Sequence, residues 1–172
     1  MVKTMGDLLD VVNSARHLST RRLVSTSKAR EAVFNRRLSA YVCEKATWIL
    51  DNVGQSMRGA KILVLGVAAR KNTSDCRHSV ALATIDRLKR VGVKVSYWGP
   101  YVPRLDTITD AGRPLSSVAL IESRLAGCDL VVIAMDHDTF DFDWIAAHAP
   151  RILDIRQRTH WVHAATAQVW SL

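Results

Sequence analysis

Residues Lys61–Ser79 read KILVLGVAARKNTSDCRHS, and this stretch decides the fold. The apolar, β-branched run Ile62–Val67 has the composition of a strand covered on both faces, interrupted at Gly66. A basic polar loop follows, carrying Arg70, Lys71, Asn72, Thr73, Ser74, Asp75 and Arg77. An amphipathic helix then opens near Ser79. Strand, cation-bearing loop and helix N-terminus in that order suit a phosphate group. Backbone N–H groups and the positive helix end face the anion, and side-chain cations close over it. The plain alternative is an ordinary strand-to-helix loop with solvated charges.

Outward from this stretch the chain alternates strand and helix. The periodicity predicts a helix over about Ser79–Val91, a strand Lys94–Trp98 ending at Gly99–Pro100, and a turn-rich loop through Pro103, Asp106, Asp110–Gly112 and Pro114. A helix near Ser117–Ala126, an apolar strand Asp129–Ala134, a short helix Phe140–His148 and a strand Arg151–Ile155 follow, with a last strand in the Val169–Leu172 tail. This order implies right-handed crossovers, hence a Rossmann-like α/β fold with a parallel sheet flanked by helices. On the N-terminal side, Met5–Ser14 reads as a short helix. From Thr26 to Val53 apolar residues recur at three- and four-residue steps without proline. A helix of that length reaches about 40 Å, more than the core of one domain needs, so it is a connector or dimerisation element. The expected organisation is a basic arm (1–25), a connector helix (26–59) and an α/β domain (60–172).

The 172 residues suffice for one well-cored domain, and the 48% apolar and 23% charged composition is that of a soluble globular chain. No run approaches the roughly 20 apolar residues of a membrane span. Cys43, Cys76 and Cys128 are odd in number and widely spaced, which excludes a disulfide framework and points to a reducing cytoplasm. Five of the eight net positive charges fall in residues 1–37. That asymmetry fits an acidic partner or a targeting peptide; nucleic-acid binding is not expected, because no recognition motif accompanies it.

The spaced motifs of this alternation resemble those of the UDP-glucose/GDP-mannose dehydrogenase family, in its C-terminal, nucleotide-sugar-binding domain. Lys61–Ser79 resembles that family's strand, Lys-rich loop and D-x-R-x-S segment. YWGPYVP (Tyr97–Pro103) resembles D-P-Y-V-P, and IAMDHDTFDFDWI (Ile133–Ile145) resembles T-D-H-x-x-F-x-x-x-x-I. ILDIR (Ile152–Arg156) resembles V-D-x-R, and NRRLSAYV (Asn35–Val42) resembles N-D-R-M-P-x-Y-V at the start of the connecting helix. The likeness spans about residues 32–172 and is closest in style to the UDP-N-acetylhexosamine branch.

That resemblance implies NAD-dependent oxidation of a UDP-sugar C6 alcohol to the uronate by a cysteine nucleophile. Neither the G-x-G-x-x-G loop of the nicotinamide domain nor the G-G-H-C-I-P nucleophile motif occurs in this sequence. Cys43 and Cys128 read as core residues and Cys76 as a loop residue, so no catalytic residue is assigned. Carried over position by position, the UDP-sugar contacts fall on Ala69, Arg70 and Arg156, and a contact to NAD falls on Arg77. The chemistry agrees for the arginines, whose guanidinium forks chelate a diphosphate; for Arg77, pairing with Asp75 is the competing role. Ala69 stands where the family has a large aromatic, Arg70 where it has Lys, Gly99 where it has Asp and Met135 where it has Thr, which loosens the pocket. Two or three charged hydrogen bonds, less the cost of association, allow roughly millimolar to micromolar binding of a UDP-like ligand.

Asp136, His137 and Asp138 read as loop and helix-cap residues. His160 and His163 lack partners at metal-ligand spacing, so no metal is expected. The five tryptophans read as packing anchors. The leading expectation is a truncated family member that keeps a UDP-sugar-binding half-site and a dimerising helix, in the cytoplasm, without dehydrogenation by this chain alone. The alternative is a non-enzymatic interaction module that binds a partner, such as a complete dehydrogenase subunit, through the basic arm and long helix.

Overall fold

The computed structural model describes residues 24–110, 113–159, 162 and 166–172. The predicted helix Met5–Ser14, most of the basic arm, His160, His163 and Trp161 lie outside the described residues. The chain divides into two units, Met1–Glu31 and Ala32–Leu172. Helix α1 (Val24–Asp51) lies within two residues of the apolar pattern Thr26–Val53 and ends eight residues before position 59.

Five parallel strands make the sheet: β1 (Lys61–Leu65), β2 (Lys94–Trp98), β5 (Leu130–Ile133), β6 (Arg151–Asp154) and β7 (Gln168–Ser171). Their order is β2-β1-β5-β6-β7, and every neighbouring pair is parallel. The Rossmann-like reading is therefore correct, and the tail strand is present as β7. Period-2 alternation sorts the apolar runs onto two faces. Ile62, Val64, Leu130, Val132 and Leu153 meet Val42, Ala46, Ile49 and Leu50 of α1 and Ala81, Ile85 and Leu88 of α2 (Val80–Arg90). Leu63, Leu65, Val131, Ile133 and Ile152 meet Leu125 of α3 (Glu122–Ala126) and Ile145 and Ala146 of α4 (Phe142–His148). With both faces covered, the central strands have no polar positions to alternate with, which is why β5 is the unbroken run LVVI.

The helix starts follow local chemistry. Ser79 caps α2 by accepting the Ala81 N–H at 3.1 Å, and Asp141 caps α4 by accepting the Trp144 N–H at 2.9 Å. Three expectations are corrected. The helix near Ser117–Ala126 shrinks to α3, because the Ser117 hydroxyl accepts the Gly99 N–H and the Val118 N–H donates to the Tyr97 carbonyl, holding that segment extended along β2. The turn-rich loop contains an antiparallel hairpin, β3 (Arg104–Asp110) with β4 (Arg113–Ser116). Its base is tied to the sheet by the buried Tyr97, whose hydroxyl donates to the Val102 carbonyl at 3.2 Å. Helix α4 begins at Phe142, not Phe140, because the Phe140 ring packs on Trp98 at 4.6 Å and belongs to the second core.

The chain reaches β2 from β1 on one side and β5 on the other, so the polypeptide leaving β1 and β5 separates at their carboxyl ends and opens a crevice. Gly66 sits in this fork with φ +76°, and a Cβ there would lie 2.6 Å from the Met135 carbonyl oxygen and 2.7 Å from the Met135 Cβ. Only glycine permits that backbone approach. Replacing Gly66 by Ala is expected to cost about 3 kcal/mol, steric overlap added to left-handed backbone strain. Gly54→Ala, with φ +70° but open space around the new methyl, should cost only about 1 kcal/mol. Urea denaturation of the two variants checks the difference.

Candidate functional site

Four loops meet at the carboxyl ends of the strands: residues 66–79 after β1, 99–103 after β2, 134–141 after β5 and 155–159 after β6. Parallel pairing puts Arg70 and Arg156 on this one rim, after strands separated only by β5, so their loops begin about 10 Å apart.

Arg156 is placed by two carboxylates. Asp154, fully buried at the end of β6, accepts the Arg156 N–H at 2.8 Å and both the N–H and hydroxyl of Thr159 at 2.7 Å. These bonds fold residues 154–159 into a tight turn, with Gln157 in the left-handed region at φ +57°. Asp136, buried at the end of β5, accepts the Arg156 Nε–H at 2.8 Å, and Arg158 Nε stands 3.6 Å from its other oxygen. Half of the guanidinium is thereby fixed. The Nη groups make no hydrogen bond among the described residues, and the side chain stays 44% exposed. An arginine held at Nε still has its Nη1/Nη2 edge, which can give two parallel N–H bonds to an anion.

The loops after β1 and β5 are clasped together. The Asn72 backbone N–H donates to His137 Nδ1 at 2.9 Å, its side-chain amide donates to Asp138 at 2.5 Å, and the Asp138 N–H returns to the Asn72 Oδ1 at 3.0 Å. Lys71 pairs with Asp138. The buried His137 ring lies between Tyr101 at 4.9 Å and Phe140 at 5.3 Å. Because Nδ1 accepts, the imidazole is neutral with its proton on Nε2. Burial pushes its pKa down; Asp136 and Asp138 pull it up, and Lys71 works with burial. The Lys71 and Asn72 hydrogen bonds hold the Asp138 carboxyl below its ordinary range. Asn35 of α1 donates its amide to the carbonyl of His78, anchoring the far end of the β1 loop. All three non-glycine residues with positive φ among the described residues, Asn72, His78 and Gln157, belong to these rim loops. Such strain persists where surrounding contacts over-determine it.

The sequence-predicted residues divide by environment. Arg70 is exposed on the β1 loop with no ion pair among the described residues, and its carbonyl accepts the Thr73 hydroxyl. Ala69 is half-buried, its N–H donating to the Asp75 carbonyl at 2.7 Å. Arg77 is 83% exposed and grips Asp75 through Nε and Nη2, both at 2.9 Å; this pair drives the Asp75 carboxyl far below the ordinary range. Asp136, His137 and Asp138 are loop residues as read, but Asp141 is the helix cap. Asp136 also does what the sequence reading missed, by orienting Arg156. Burial pushes Cys43 up to about 11, Cys128 up to about 12 and Cys76 upward, so none is a thiolate at neutral pH. Among the described residues no His, Cys, Asp or Glu cluster suits a metal ion, and no helix is long and apolar enough to cross a membrane.

Comparison with known proteins places this geometry. A UDP-glucose 6-dehydrogenase of Rhizobium meliloti (strain 1021) is 34% identical over 95 residues, 55% of this chain and 20% of the relative. The fold superposes on a UDP-D-ManNAc dehydrogenase from Pyrococcus horikoshii with TM-score 0.61 at 24% identity, covering 82% of this chain and 32% of that one. It superposes equally on the UDP-N-acetyl-mannosamine dehydrogenase Cap5O from Staphylococcus aureus, TM-score 0.61 at 17% identity, over 96% and 43%. The chain thus spans a fifth of the curated relative and about a third to two-fifths of the structural ones. Residues 63–160 match the profile of the UDP-glucose/GDP-mannose dehydrogenase family, UDP binding domain. The rim after β1, β5 and β6 lies within those residues, and the chain belongs to the UDP-glucose/GDP-mannose dehydrogenase family.

Proposed function

We propose that this chain binds the UDP moiety of a nucleotide sugar at the rim, its diphosphate between Arg70 and the outer edge of Arg156. The observation that supports this reading is the Asp136–Arg156 pair, which fixes a guanidinium at the carboxyl rim and leaves its Nη groups without a hydrogen bond among the described residues. Of the rim cations, Lys71 is matched to Asp138 and Arg77 to Asp75, Arg156 is held by Asp136 through Nε alone, and Arg70 forms no ion pair among the described residues. Ala69 stands beside Arg70 and leaves room for the nucleoside or sugar. Arg77 is the residue that resemblance assigns to NAD. Bound bidentately to Asp75, it does not by itself hold a dinucleotide, and no glycine-rich phosphate loop accompanies it. Oxidation of a sugar alcohol therefore requires a nicotinamide and a nucleophile beyond these 172 residues. The chain's own part is to grip the diphosphate and to keep the loops closed through the His137 clasp.

Association through α1 is a second proposal, supported by Val33 and Trp48, each about half exposed on that helix. Trp48 was expected to be a packing anchor; here its ring instead lies under the Lys45 ammonium at 4.3 Å. Sedimentation equilibrium should find a dimer for the wild-type chain and a monomer for Trp48→Glu.

Calorimetric titration with UDP tests the site. Arg70→Ala and Arg156→Ala should each weaken binding by about tenfold or more, the loss of charged hydrogen bonds worth about 1.5–3 kcal/mol. Asp136→Asn should weaken it by a smaller factor, since Arg156 remains but is no longer aimed. No binding at millimolar UDP, or equal binding by all four proteins, would refute the reading.

The clasp predicts a pH dependence. His137 is neutral when folded and its pKa is depressed from 6.5, so below that value the unfolded chain takes up a proton that the folded chain resists. Stability is therefore complete above about pH 6.5 and falls as pH drops through the folded value, with a slope of at most about 1.4 kcal/mol per pH unit. Denaturation midpoints measured across this window should slope upward with pH, and His137→Phe should flatten the slope.

A further inference from the structure

We propose that a second site, at the amino ends of the strands, docks an extended acidic peptide segment against the open start of β2's outer edge, at Val95, short of the part that Ser117 and Val118 cover. A groove of about 670 Å³ lies there, at the end of the sheet opposite the nucleotide rim. Its floor is the start of β2, and its walls come from the end of α2 and from Ile121 to Arg124. Lys61, Lys89, Lys94 and Arg124 line it, and among the described residues no carboxylate does. Lys61, Lys94 and Arg124 form no ion pair among the described residues. The nearby acids are engaged elsewhere. Glu122 points to His148 at 3.8 Å, Asp86 pairs with Arg90, and Asp129 accepts the Lys61 N–H and the Gln55 amide. Lys61, Lys94 and Arg124 thus give this concave surface positive charge with no ion-pair partner among the described residues, which suits an anionic partner.

The backbone says what kind. β2 is the terminal strand of the sheet. The Lys94 N–H donates to the Ala60 carbonyl and the Trp98 carbonyl accepts the Gly66 N–H, so the even-numbered residues bond toward β1. Val95 and Tyr97 therefore direct their main-chain groups outward. The Tyr97 carbonyl is taken by the Val118 N–H at 2.9 Å, whereas the Val95 N–H and carbonyl have no partner among the described residues. A peptide strand satisfies both a donor and an acceptor; a phosphate chain satisfies only the donor. Ile121, 49% exposed, and Val95 supply the apolar contact that alternate side chains of an added strand need. Among the described residues no aromatic ring lines the groove, which removes the stacking surface of a single-stranded nucleic acid.

Fluorescence anisotropy of the whole chain with a labelled peptide alternating Val and Glu tests this assignment. The acidic peptide should bind with micromolar affinity, and its Val/Lys counterpart should not bind. Lys94→Glu combined with Arg124→Glu should weaken binding about tenfold. Val95→Pro removes an outward N–H that makes no bond to β1 and should weaken it similarly, with the circular dichroism spectrum unchanged. The proposal is overturned if the acidic peptide fails to saturate at millimolar concentration. In that case the lysines only guard an edge strand against pairing. Unchanged affinity in the variants, or tighter binding of a thymidine oligonucleotide than of the peptide, overturns it equally.

Discussion

A backbone-to-backbone contact, Gly66 against Met135, sets the shape of the functional rim. Two parallel strands whose chains turn in opposite directions must part at their carboxyl ends, and the depth of the resulting crevice depends on how closely they run before parting. With no Cβ at Gly66, the chains stay together one residue past the last ladder pair, and both the Ala134 and Met135 N–H groups reach the Leu65 carbonyl. A side chain there would wedge the fork open. The loops carrying Asn72 and His137 would then separate, and the clasp between them spans hydrogen bonds too short to stretch.

Above that floor, carboxylates give the arginines of the rim fixed directions. Asp154 fixes the backbone from which Arg156 departs, and Asp136 fixes the direction in which its side chain leaves. Flexible side chains lose rotamer entropy when they bind, and an arginine already held at Nε has lost part of it beforehand. The same logic assigns different work to Arg70 and Arg77. Arg77 spends its fork on Asp75 and helps to hold the helix entry. Arg70 has no such partner among the described residues and keeps its full hydrogen-bonding capacity.

How far the sequence could be read depends on the range of the interaction that decides each feature. β1 and β5 are legible because burial on both faces demands an unbroken apolar run. The start of α2 is legible because Ser79 caps it from two residues away. Residues Ser117–Ile121 have helical spacing too, but bonds to Gly99 and Tyr97, about 20 residues distant, hold them extended. Phe140 likewise has helix-compatible neighbours and is claimed instead by Trp98 in the core. In the site, arginines at strand ends are visible from order alone. Their orienting partners are not: Asp136 meets Arg156 across 20 positions and Asn72 meets Asp138 across 66. An acidic residue in a D-H-D run carries no local sign of which cation it will face.

The two ends of the sheet use positive charge differently, and helix direction explains why they can. In a parallel α/β sheet the helix N-termini gather at the carboxyl rim, where their partial positive charge already favours a phosphate. Few free cations are then needed, and the surplus is neutralised by Asp75, Asp136 and Asp138. At the amino ends the helix C-termini contribute partial negative charge, and Arg87, Lys89 and Arg90 close α2 there. A basic groove at that end exceeds what the dipole asks for, since Lys61, Lys94 and Arg124 stand apart from the last turn of α2. Unlike the rim, it has no carboxylate among its described lining residues, and Lys61, Lys94 and Arg124 form no ion pair among the described residues.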